Sequence, residues 1–182
     1  MTLHADATAT LTSWTAPDPE QAELREYYLR HLASYQDGLW RSRLPEHLTA
    51  SALVTDPAGG EVLLTLHAKI HRWLQLGGHC EIGDATLAGA ALREAAEESG
   101  LTGLVIDPVP VQLSRHQVRC GGREDAYHLD VQFLVTATAG AEFVVSEESH
   151  DLRWFAAEGL PAGVDRTVQE LVQRSAHRNA IR

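Results

Sequence analysis

Apolar residues recur along this chain with two periods, and the alternation between them divides it into elements. In "DPEQAELREYYLRHLASYQ", Leu24, Tyr28, Leu32 and Tyr35 return every three or four residues, the spacing of an amphipathic helix. Asp18 can cap it, Pro19 suits its first turn and Gln21 sits where a capping box wants it. "TASALVTD" and "EVLLTLH" are strand-like runs joined by "PAGG", and "RWLQL" is a third short strand ahead of Gly77 and Gly78. A second helix is expected from about Thr86 to Ser99, stopped by Gly100. "LVIDPVPVQL", "YHLDVQFLVTA" and "LRWFAAE" are further strands. Pro108 and Pro110 assign the first of them to a sheet edge or to a broken strand. "DRTVQELVQRSAHR" closes as a helix with Val168, Leu171, Val172 and Ser175 on one side. Residues 1–16 are small and polar without a period, and a loosely ordered segment is expected there. The order of elements predicts an α/β (α+β) fold, a mixed sheet sandwiched between helices, with an N-terminal accessory helix. The expected division is a tail and accessory helix over 1–47 and one domain over 48–182.

Composition narrows the partners. With 182 residues, 44% of them hydrophobic, the chain can bury a substantial core, and its net charge is −10. A field of that sign repels nucleic acid and anionic lipid. No apolar run approaches the length of a transmembrane helix, and the N-terminus lacks the basic and apolar pattern of a signal peptide. Cys80 and Cys120 make no disulfide framework. A cytoplasmic location is the expectation.

The candidate chemistry lies in "REAAEESG", residues 93–100. Around the helix axis Glu97 falls about 60° to one side of Glu94 and Glu98 about 40° to the other, so three carboxylates share an arc of about 100°. Such charges repel one another, and a solvated acidic face is the plain reading. Two features argue for more: an alanine-rich inner side (Ala88, Ala91, Ala95) and the preceding glycine-punctuated loop "LQLGGHCEIGD". Converging carboxylates are what Mg²⁺ or Mn²⁺ selects. A bound cation would also supply the positive charge that an acidic protein needs for an anionic ligand.

"GGHCEIGDATLAGAALREAAEESGL", residues 77–101, resembles the Nudix box of the Nudix hydrolase family. Gly78 corresponds to the opening glycine, and Arg93, Glu94, Ala95, Glu97, Glu98, Gly100 and Leu101 match the second half in register. Two departures stand out: Asp84 occupies the place of the first glutamate, and eight residues rather than seven separate it from Arg93. The resemblance implies Mg²⁺-dependent (or Mn²⁺-dependent) hydrolysis of a pyrophosphate bond in a small nucleoside diphosphate derivative: an NTP, ADP-ribose, a dinucleotide or a nucleotide sugar. By position, Gly77 (through its carbonyl), Glu94, Glu97 and Glu98 would hold the metal. Glu97 would serve as proton acceptor, and Arg93 would orient the carboxylates. Asp84 would support the loop.

Gly78, Arg115, His128, Glu147 and Glu148 are candidates for the substrate side of the site. The alternative function is a non-hydrolytic nucleotide-binding module on the same fold, suggested by the altered spacing. An isomerase on this scaffold would need a dedicated acid–base pair, which the sequence does not show. The accessory helix could instead build a homodimer interface. Ten histidines invite a zinc reading. His67, His71, His79, Cys80, His116, Cys120 and His128 nevertheless form no Cys-x2-Cys or His-x3-His pair on a recognisable scaffold, so no structural zinc is expected from spacing.

Overall fold

A computed structural model describes residues 2–68, 70–120, 122–144 and 149–180. Contrary to expectation, the N-terminal segment is a helix, α1 (Leu3–Ser13), capped by the Thr2 side chain accepting from the Ala5 amide. Leu3, Ala7 and Leu11 recur every fourth residue and are buried. Burying each leucine is worth roughly 1.5–3 kcal/mol. The small residues read as unpatterned in sequence form a helix because a neighbouring surface receives this narrow stripe.

α2 (Pro19–Ser34) follows, with Asp18 as its cap and Pro19 in its first turn. Tyr28 and Leu32 are fully buried and share one core with α1, Trp14 and Leu39. The apolar faces of both N-terminal helices are therefore used within the chain.

Asp18 accepts from the Gln21 amide at 2.9 Å and pairs with Arg174 at 2.8 Å. The Gln21 hydrogen bond chiefly, with help from Arg174, holds its carboxyl below the ordinary carboxylate value. On acidification the unfolded chain takes up this proton first. The stabilisation is therefore complete above that ordinary value, near pH 4, and is lost as pH falls through the lower folded value. Asp18→Ala is expected to cost about 1 kcal/mol at neutral pH. Asp18→Asn retains the cap but loses this part of the acid sensitivity, as urea midpoints at pH 7 and pH 3 would show.

Among the described residues the sheet has seven strands: β1 (Glu46–Thr55), β2 (Glu61–His67), β3 (Trp73–Leu74), β4 (Leu76–His79), β5 (Val105–Cys120), β6 (Arg123–Thr136) and β7 (Ser149–Ala156). The main order is β3-β2-β1-β6-β5, with β4 pairing β1 and β7 pairing β2. β6 runs parallel to β1 along the whole length of β1; the other pairs are antiparallel. β5 takes the edge, and its register shifts between Asp107 and Gln112, across the two prolines, which cannot donate to a ladder.

α3 (Leu87–Ser99) packs one face of the sheet together with α1 and α2, around Leu76, Val131, Phe133 and Val135. α4 (Arg166–Ala180) covers the other, burying Val168, Leu171 and Val172 against Leu53, Leu64 and Leu134. Polar and apolar side chains alternate along β6, yet both of its faces are buried, as suits a central strand. Among the described residues no helix is long and apolar enough to cross a membrane.

Candidate active site

α3 begins and ends on its own sequence signals. Thr86 Oγ1 accepts from the Gly89 amide at 2.9 Å, and Gly100 adopts a left-handed φ of 66°, a conformation that costs glycine little. Leu87, Ala90, Ala91, Ala95 and Ser99 are buried, which turns Arg93, Glu94, Glu97 and Glu98 toward the opposite side.

The extra residue of the box is accommodated before the helix. The Asp84 amide donates to the Glu81 carbonyl at 3.0 Å, while the Glu81 amide donates to Asp84 Oδ2 at 2.7 Å. This closed turn delivers the shorter Asp84 side chain to Arg93, whose Nε and Nη2 grip its two oxygens at 3.0 and 3.1 Å. Bidentate pairing of this kind is both strong and orienting. Burial alone would raise the Asp84 carboxyl, but Arg93 and the Glu81 amide outweigh it and hold the group below its ordinary value.

Arg93 also donates to Glu94 at 3.1 Å, to Glu97 at 2.9 Å and to the His79 carbonyl at 2.9 Å. Its guanidinium, held firmly protonated by Asp84 above all, joins the loop to two of the three glutamates.

The remaining link is β4. The Gly77 amide donates to Glu98 Oε2 at 3.2 Å. A Cβ on Gly78 would fall 2.8 Å from Glu94 Oε2, and one on Gly77 would fall 2.2 Å from Ser51 Cβ. The two glycines thus let bare backbone lie between β1 and the carboxylates. The side-chain donors are all oxygen, the glutamates on one helix face beside the β4 backbone, and the set fits a hard divalent cation such as Mg²⁺ or Mn²⁺.

The other sequence candidates lie elsewhere. Arg115 is on β5, separated from β4 by β1 and β6. It ion-pairs with Glu46 and stacks 3.8 Å over the Tyr127 ring, so its charge is already engaged. Glu147 and Glu148 fall outside the described residues. His128 belongs to a polar face that strand pairing assembles. The parallel register aligns His47, Thr49, Ser51 and Leu53 of β1 with His128, Asp130, Gln132 and Leu134 of β6. β5 adds Gln112, Ser114 and His116 opposite Gln132, Asp130 and His128. This face grades from leucine, through polar groups, to histidine.

At its centre the buried Asp130 accepts from Thr49 at 2.9 Å, Ser51 at 2.6 Å and Gln132 at 2.9 Å. At its end His128 lies 4.9 Å from His79 and 5.0 Å from His47, ring centre to ring centre. Burial, then the neighbouring histidines, pushes His128 down to about 2; burial, then His47, pushes His79 down to about 4. The imidazoles are neutral. Alternation of period two in "HLDVQF" puts His128, Asp130 and Gln132 on one face, but the strand pairing that joins them to β1 and β5 is not local. A separate cleft of about 640 Å³, bordered by Trp14, Pro110, His177 and Arg178, includes none of the box residues.

Residues 45–175 match the family model described as the NUDIX domain. No curated protein matches the chain. Among solved structures, a NUDIX-family hydrolase from Clostridium perfringens is 24% identical, with a TM-score of 0.58 over 75% of this chain and 98% of that one. An Ap4A hydrolase from C. elegans, solved as a binary complex, is 19% identical with a TM-score of 0.59, covering 74% and 98%. A UDP-X diphosphatase is 16% identical with a TM-score of 0.54, covering 96% and 90%. At these identities the likeness is one of fold.

Proposed function

We propose that this chain, which belongs to the Nudix hydrolase family, cleaves the pyrophosphate linkage of a small nucleoside diphosphate derivative with Mg²⁺ or Mn²⁺ held by Glu94, Glu97 and Glu98. The observation that carries the reading is the seating of the Glu94 and Glu98 carboxylates on side-chain-free backbone at Gly77 and Gly78. The Gly77 carbonyl would complete the donor set. Bound there, the cation would neutralise the pyrophosphate and make an attacking water more acidic.

The protein's own part is positioning and proton transfer. Arg93 is not a reactant: its donors are committed to Asp84, Glu94, Glu97 and the His79 carbonyl, and it keeps two carboxylates facing one way. Glu97 is our choice of proton acceptor. Its side chain is 60% exposed, so an incoming substrate and water can reach it, and Arg93 tethers it. The departure that suggested a non-hydrolytic module, Asp84 with one extra residue, leaves the Asp84–Arg93 pairing intact, so the spacing no longer favours that alternative.

The substrate class is tested with purified protein and a panel of nucleoside triphosphates, dinucleoside polyphosphates, ADP-ribose and nucleotide sugars. The panel includes the substrate types in the names of the Ap4A hydrolase and the UDP-X diphosphatase. Turnover that requires Mg²⁺ and stops with chelator supports the proposal; tight binding without bond cleavage supports the non-hydrolytic reading.

Gly78→Ala probes the carboxylate seat. The nearest atoms the new methyl meets are those of the Glu94 carboxylate, the far end of a flexible side chain, so stability should hold while that carboxylate is displaced. Mg²⁺ affinity, from the metal dependence of turnover and from calorimetry, is expected to fall about tenfold or more, the scale of losing one support of a ligand.

A further inference from the structure

We infer that His47, His79, Cys120 and His128 form a structural zinc site, separate from the carboxylate cluster on α3. Their ligand atoms all lie within 4.8 Å of one another. They come from β1, β4, the end of β5 and β6, four strands that meet at one end of the sheet. Three imidazoles and a thiol are a donor set that zinc takes in tetrahedral sites. With Zn–N of about 2.0 Å and Zn–S of about 2.3 Å, such ligands stand roughly 3.3–3.6 Å apart. Closing from the present spacing needs modest side-chain rotation and no rearrangement of strands.

Hydrogen bonding points the same way. The Nδ1 of His47 lies 3.0 Å from the Arg43 carbonyl, which makes it the protonated nitrogen and leaves Nε2 with its lone pair. That Nε2 is buried without a partner, as is Nε2 of His128. Orphaned buried nitrogens are rare in native structures, and a backbone carbonyl on the far ring nitrogen is the usual support of a metal-binding histidine. The His79 Nε2 lies 3.9 Å from Cys120 Sγ, the contact a shared cation would tighten. The other cysteine, Cys80, is outside the group, and burial pushes its thiol up to about 12, as befits an inert core residue.

The site has a structural purpose. The side chain of His79 would be fixed to β1, β5 and β6 while its carbonyl accepts from Arg93, so zinc would brace the loop that positions the carboxylates. Binding releases the Cys120 thiol proton and leaves the thiolate on the metal.

The test uses the full chain, expressed with zinc and dialysed against metal-free buffer, and then substituted with Co²⁺. Expected are about one zinc per chain by elemental analysis and, with Co²⁺, intense tetrahedral d–d bands with a thiolate-to-cobalt charge-transfer band. Cys80→Ser should keep that band and Cys120→Ser should abolish it. His47→Ala should weaken zinc binding by more than the ~10–100-fold that loss of a ligand's support costs. The double variant Glu97→Gln/Glu98→Gln should retain the bands, so that failure of the carboxylate proposal and failure of this one are distinguishable. A weak, octahedral cobalt spectrum in the wild-type protein, which needs no variant to fold, would overturn the inference. So would charge transfer that survives Cys120→Ser, or zinc lost only with the glutamates.

Discussion

Glu98→Gln is expected to lower turnover by about 100-fold or more at saturating Mg²⁺, equivalent to roughly 2.7 kcal/mol of lost transition-state stabilisation. The same is expected of Glu97→Gln. The fold survives both changes for identifiable reasons. A glutamine oxygen at position 98 still accepts from the Gly77 amide, which now donates at 3.2 Å. Glu97 is largely exposed, and its pairing is with Arg93, which keeps its Asp84 and His79 partners. What would disappear is charge: at position 98 the negative charge proposed to offset the cation, and at position 97 the carboxylate proposed to accept the proton. The expected signature is therefore a fall in kcat, with a higher Mg²⁺ requirement for Glu98→Gln, and thermal unfolding close to wild type. Retention of wild-type Mg²⁺-dependent hydrolysis by the double variant would show that the glutamates are a solvated face and nothing more.

Gly77→Ala is expected to destabilise the protein by about 3 kcal/mol or more, the largest effect of any single methyl addition considered for this chain. Two costs add. The backbone at Gly77 has φ of 151°, which side-chain-bearing residues rarely adopt, and its Cβ would stand 2.4 Å from Ser51 Cα and 2.8 Å from the Ala50 carbonyl oxygen. These are backbone atoms of β1, which is paired along its other edge with β6 for its whole length, so they cannot yield as a side-chain tip would. Gly83→Ala is the matched control. It lies in the loop that follows β4, and its added methyl meets nothing within 4 Å, so it should leave the denaturant midpoint almost unchanged. If the two variants unfold at the same urea concentration, the close approach of β4 to β1 is not as described.

The carboxylate site was legible because its information is local. Glu94, Glu97 and Glu98 lie on one helix, where 3.6 residues per turn translate spacing directly into direction. The Thr86 cap, the Gly100 stop and the buried alanines are all readable within that stretch. The α1 helix was missed despite a local signal: Thr2 could have been read as a cap, and Leu3, Ala7 and Leu11 as a stripe. Alanine and threonine carry too little hydrophobic contrast for the pattern to rise above its background, and the helix is stabilised by the surface it covers. Arg115 was read as a candidate for the substrate side because nothing in the sequence brings Glu46, 69 positions away, to its side.

The sequence by itself therefore determined the helices α2, α3 and α4, the succession of strands and helices along the chain, the edge position of the proline-bearing strand and the acidic face of α3, all set by neighbours within a few turns. Tertiary structure alone decided that Gly77 presses on Ser51, that Asp130 is buried among hydroxyls, and that His47, His79, Cys120 and His128 meet. The physical reason is that β-pairing joins residues tens of positions apart. A histidine's partners are then chosen by register between strands, and register is a property of the assembled sheet.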